Sequence, residues 1–140
     1  MRKILFAAVL AMVAISIVFA AMQNREWVVP EEAKKQTNPL QPSEAALRAA
    51  KEIYLDNCAQ CHGETGKGDG PEAAQHDPRP ANLQDAKHMD TVSDGELFYQ
   101  ISEGRQPMPA FKKRLTQEQR WQLVLLVRSF SAPAVTQPKK

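Results

Sequence analysis

Cysteine is scarce in this chain: two residues in 140, Cys58 and Cys61. A structural zinc site takes four ligands, usually from two Cys or Cys/His pairs, and His76 and His88 show no pairing at metal-site spacing. No βαβ pattern surrounds Cys58, so the context of a thioredoxin-like dithiol is missing. Aromatic residues make up only 6% of the chain. The core is therefore modest, and a small domain of this kind gains from a staple or a cofactor. Excess charge is also absent. Formal net charge is +2, and without Arg2 and Lys3 the remainder holds 16 basic and 16 acidic residues. Such balance gives no basis for nucleic-acid binding or for strong attachment to anionic membranes. No segment reads clearly as a strand, and no repeat is visible.

What is present is concentrated in Cys58-Ala59-Gln60-Cys61-His62. C-x-x-C-H is the attachment pattern of a c-type haem. Thioether bonds to the two vinyl groups would use both thiols, and His62 would reach the iron from one face. A disulfide across two intervening residues would be strained. The loop that follows holds Gly63, Gly66, Gly68 and Gly70. It lacks the strand and the G-K-[ST] ending of a phosphate loop, and it reads as tight turns wrapping backbone around the haem. Pro71, Pro78 and Pro80 stiffen the continuation. A carbonyl near them is expected to accept the Nδ1–H of His62.

The N-terminus reads as a targeting device. Arg2 and Lys3 precede Ile4–Met22, 19 residues without charge. That length approaches a bilayer span and exceeds an ordinary cleaved signal core. Residues 1–22 are therefore expected to be an uncleaved membrane anchor, with signal cleavage after Ala20 as the alternative. In either case the remainder is exported. Residues 23–42, with three prolines, read as a flexible linker of roughly 25 Å root-mean-square span. Trp27 falls where an interfacial aromatic would sit. A domain is expected over 43–131 and a polar tail over 132–140.

Three helices are predicted within that domain. Ser43 caps the first, which carries Leu47, Ala50 and Tyr54 on one face and runs into Cys58, so that both thiols and His62 are expected on its last turn. Ser93 and Glu96 form a capping box for the second, which ends at Gly104. Thr116 and Gln119 form another for the third, whose apolar run from Trp121 to Phe130 must be covered on more than one side. For the second iron ligand the candidates are Met108, Met89, His88 and His76. Met108 ranks first because Pro107 and Pro109 hold its loop stiffly, which suits a weak thioether ligand. Met89 is the fallback and His88 comes third.

Together these segments resemble a class I cytochrome c, and more narrowly the single-haem domains of bacterial respiratory cytochromes c. The resemblance covers roughly 43–131 and is carried by CAQCHGETGKGDGP, SDGELFYQISEG and MPAF. It implies an all-α, small cytochrome c-like helical domain wrapped around one covalent haem c. It also implies thioether links at Cys58 and Cys61, with His62 as proximal and Met108 as distal iron ligand. Two departures stand out: Ala50 occupies a position where the family often has glycine, and an aromatic is missing near Leu126. The function implied is one-electron transfer in a respiratory or related periplasmic chain. The protein would be a carrier and not an enzyme, with redox proteins as partners and no small-molecule substrate. Alternatives are an electron-entry subunit of a larger oxidoreductase complex and a haem-based sensor or peroxidase-like protein. The expected location is the periplasmic side of the bacterial inner membrane, anchored, or the soluble periplasm after cleavage. Lys112, Lys113 and Arg114 read as a solvated turn first and as a patch steering an acidic partner second.

Overall fold

Side-chain caps set where the long helices begin. The computed structural model describes residues 27–132. Among them the regular elements are α1 (Glu31–Lys34), α2 (Glu44–Asn57), α3 (Ala59–His62), a 3-10 turn (Ala73–Gln75), α4 (Ala86–Met89), α5 (Asp94–Glu103) and α6 (Gln117–Ser131). The fold is all-α, and the described residues contain no strand, only an isolated bridge between Arg105 and Met108. The Ser43 hydroxyl accepts the Ala46 N–H at 3.1 Å and opens α2. Both predicted capping boxes are present, Ser93 with Glu96 on α5 and Thr116 with Gln119 on α6. Each satisfies two N–H groups that a helix end leaves orphaned.

The core lies where α2 crosses α6. Ala50 and Val124 retain no exposed surface there, so the crossing accommodates a methyl at the position where the resemblance led to an expectation of glycine. Tyr54 meets Phe130 edge-on with centroids 5.2 Å apart, and Phe98 of α5 stacks on Trp121 at 4.0 Å. Each aromatic pair contributes roughly 0.5–1.5 kcal/mol beyond its buried area. Gly66 closes against this pair. Its φ is +81°, and a Cβ there would lie 2.7 Å from Phe130 Cδ2. Arg128 ties α6 to its neighbours: Nε donates to Asp94 Oδ1 at 2.7 Å, Nη1 to the Met89 carbonyl at 2.6 Å, and Nη2 to the Val92 carbonyl.

Two expectations need correction. First, α2 does not carry the whole C-x-x-C-H segment. Cys58 leaves helical geometry at φ −122° and ψ −34°, and a separate one-turn helix holds Ala59–His62. Second, residues 27–42 are not a free tether. Trp27 and Val29 point inward while Val28 is 88% exposed, the alternation of extended chain. Ala33 is buried against Gly95, where a Cβ would fall 1.9 Å from the Ala33 carbonyl oxygen. The Ser93 hydroxyl donates to the Lys34 carbonyl at 2.8 Å, and the Asn38 amide donates to the Trp121 carbonyl at 3.0 Å. Proline content suggested a linker, but these contacts make the segment a strap docked on α5 and α6. Among the described residues no helix is long and apolar enough to cross a membrane. The expected anchor or signal at 1–22 lies outside the described residues, as does all but Ala132 of the expected tail.

Candidate functional site

The break at Cys58 turns the chain so that the thiols and the histidine share one cavity. The Cys58 carbonyl accepts from both Cys61 N–H and His62 N–H, at 3.1 and 2.9 Å. The glycine loop then folds back over this turn: Gly68 N–H donates to the His62 carbonyl at 2.8 Å, and Glu72 N–H to the Gln60 carbonyl at 2.9 Å. The Tyr54 hydroxyl donates to the Gly63 carbonyl at 2.8 Å. The turn is thus held from both sides.

His62 is oriented by one partner. Its Nδ1–H donates to the Ala81 carbonyl at 3.4 Å, directly after Pro80, in the proline region where an acceptor was expected. That bond leaves Nε2 as the nitrogen available to a metal. Burial lowers the His62 pKa, with the Ala81 carbonyl opposing, and the neutral imidazole is the ligating form.

A cavity of about 300 Å³ opens beside this turn. Cys58, Cys61, His62 and Met108 all line it. Its walls are mainly apolar: Leu83 from the loop, Leu97 and Ile101 from α5, Phe111, and Leu123 and Val127 from α6. Two free thiols, an imidazole oriented through Nδ1, a thioether and apolar walls on one cavity form a donor set that fits a covalently held haem.

The structure sorts the remaining ligand candidates. Met89 is 1% exposed within the core cluster and does not reach the cavity. His88 is exposed and also lies elsewhere. His76 does line the cavity, on the Cys61 side, with Nε2 3.5 Å from Cys61 Sγ. Cys61, Glu72 and His76 bring their donor atoms within 4.8 Å of one another. Sequence spacing missed this group because Glu72 and His76 sit in an irregular loop. It offers three donors where structural zinc takes four.

Thiol acidity weighs against a dithiol or thiolate role. Burial pushes the Cys58 thiol up to about 12, with Cys61 adding and Arg114 opposing. Burial also raises Cys61, with Glu72 adding. Reactive cysteines have depressed values. Sequence reasoning also missed three cavity residues, Trp27, Arg79 and Arg105, because nothing in their local pattern marks a shared wall. In the basic turn, Lys112 pairs with Glu103 at 2.8 Å, and Arg114 donates to Asn57 at 3.1 Å while covering Phe111. Two of its three charges are engaged within the chain, in keeping with a solvated turn.

Comparisons with known proteins agree with this geometry. A family model described as cytochrome C oxidase, cbb3-type, subunit III matches residues 45–127, more than half of the chain. No curated protein matches in sequence. Among solved structures, a chain of the Kuenenia stuttgartiensis reducing HAO-like protein complex Kustc0457/Kustc0458 is 29% identical with a TM-score of 0.59. That match covers 80% of this chain and 54% of the other, so the chain spans about half the length of that relative. The KustC0563 c-type cytochrome is 31% identical with a TM-score of 0.53, over 59% of this chain and 98% of that one.

Proposed function

Given that the chain belongs to the family described as cytochrome C oxidase, cbb3-type, subunit III, and so carries a c-type cytochrome domain, we propose that it is a one-electron carrier with a single haem c. Cys58 and Cys61 would hold the haem through thioethers, and His62 Nε2 and Met108 would supply its iron ligands. The observation that carries this reading is the convergence of all four side chains on one apolar cavity, with His62 Nδ1 engaged by Ala81.

When bound, the haem supplies a ferric/ferrous couple. The chain supplies the rest. The Ala81 carbonyl fixes the tautomer and ring direction of His62 and raises its basicity. Leu97, Ile101, Phe111, Leu123 and Val127 exclude water from the site, which favours the less charged state of the couple. With both His62 and Met108 serving as ligands, the iron would offer no position to a substrate, which favours electron transfer over catalysis. Redox proteins are the partners, and the site of action is extracytoplasmic, on the periplasmic side. The segment 1–22 acts there as anchor or as cleaved signal. The domain boundaries follow as 43–131 for the haem domain, preceded by the docked strap.

Visible spectroscopy of protein made in a c-type maturation host tests the reading. Sharp reduced α and β bands, the weak far-red band of methionine-ligated ferric haem, and one haem per chain are expected. A high-spin spectrum would move the protein to the sensor or peroxidase-like reading. A second reading, an electron-entry subunit of a larger complex, is favoured by the first structural relative being part of a protein complex. Isolation from native membranes separates the two: a carrier runs alone, whereas a subunit co-purifies in fixed stoichiometry.

A further inference from the structure

We propose that Trp27 is a positioning residue for Met108, acting through Arg105. The inference rests on the reading of Met108 as iron ligand and adds a residue from outside the region of family resemblance. Arg105 and Met108 close a short turn with reciprocal backbone bonds: Arg105 N–H donates to the Met108 carbonyl at 2.9 Å, and Met108 N–H to the Arg105 carbonyl at 2.7 Å. These two bonds tie the backbone of Met108 to that of Arg105. The Arg105 guanidinium lies over the Trp27 ring, 4.7 Å from its centroid. Trp27, Arg105 and Met108 all border the same cavity.

Trp27 can hold Arg105 only if it is itself held, and the strap holds it. Val29 and Ala33 are 7% and 8% exposed. The Lys34 carbonyl accepts from Ser93, and Asn38 donates to the Trp121 carbonyl. A partly desolvated cation–π contact is small against a whole fold and large against a weak thioether ligand. Losing it enlarges the population with Met108 off the iron and so raises the apparent affinity of a competing ligand.

Imidazole titration of the ferric, haem-loaded full chain, followed at the far-red band, tests this. Trp27→Ala is expected to bind imidazole about tenfold more tightly than wild type, or ~1.4 kcal/mol, and Trp27→Phe should recover most of the difference. Combining Trp27→Ala with Arg105→Gln should give no more than the larger single effect, because one route carries both. Ala33→Arg undocks the strap without altering a cavity residue and should shift affinity in the same direction. It serves if Trp27→Ala folds poorly. Leu126→Ala, a core change away from the cavity, should lower stability and leave the titration unchanged. Wild-type affinity in both Trp27→Ala and Ala33→Arg overturns the proposal. So do additive effects of Trp27→Ala and Arg105→Gln, or an equal shift in Leu126→Ala. Retention of the far-red band in Met108→Ala would instead sink the Met108 reading and this inference with it, an outcome distinct from the others.

Discussion

Tyr54 carries its hydroxyl into the interior, 1% exposed, and donates it to the Gly63 carbonyl. Burial raises its pKa above the ordinary 10.0, with Cys58 and Asp69 adding. The folded state therefore binds this proton more tightly than the unfolded chain does. Its contribution to stability is full below about pH 10 and falls as pH rises beyond that. Urea midpoints of wild type should drop from about pH 10 upward, and those of Tyr54→Phe should drop less; parallel curves would refute this. At the site, Cys61→Ala should leave one thioether and weaken haem staining after denaturing electrophoresis. Met108→Ala should lower the potential by on the order of 100 mV, within the ~0.8 V that axial ligands command, and let the ferrous protein bind carbon monoxide. That Cys58, Cys61, His62 and Met108 share one cavity was readable because each stands in a short pattern with a chemical reason. Ala81 was not, since a backbone carbonyl leaves no mark on residue type.

Helices were legible by their ends more than by their faces. Ser43, Ser93 and Thr116 each marked a start that the structure places one residue later, at Glu44, Asp94 and Gln117. The end of α2 at Asn57 was not legible, because nothing in the sequence announces the departure from helical geometry at Cys58. Nor was the clamp by Arg128, an ordinary basic residue in an apolar helix. It serves an aspartate and two carbonyls across α4, α5 and the turn between them. Arg128→Ala would leave those acceptors without their donor and should cost about 2–3 kcal/mol in denaturant unfolding. Arg128→Lys, with a single ammonium in place of a fork, should recover only part. Full recovery by lysine would mean that charge alone matters.

For the molecule as a whole, the cavity beside the Cys58–His62 turn occupies space that a larger domain would fill with side chains. Without a haem, the apolar walls of this roughly 300 Å³ cleft would face water, a loss of several kcal/mol of apolar burial. Whole domains are stable by only about 5–15 kcal/mol. Protein made without haem attachment should therefore be largely unfolded, with weak far-ultraviolet circular dichroism and no cooperative melt. A cooperative, native-like melt of the haem-free chain would show that the helices suffice. The 6% aromatic content points the same way. The docked strap was not legible in the sequence, because its prolines and weak periodicity resemble those of a free linker, and its contacts are with distant backbone.

The strap also sets the length of the leash. With Trp27 fixed on the domain, only residues 23–26 separate it from the apolar run ending at Met22. The five steps from Met22 to Trp27 reach at most about 18 Å, shorter than the span of the tether first expected. If 1–22 stays in the bilayer, as proposed, the cavity wall formed by Trp27 is confined to a thin layer above the lipid. Electron exchange would then be a search in two dimensions, among partners in the same membrane, with the domain's orientation largely set in advance.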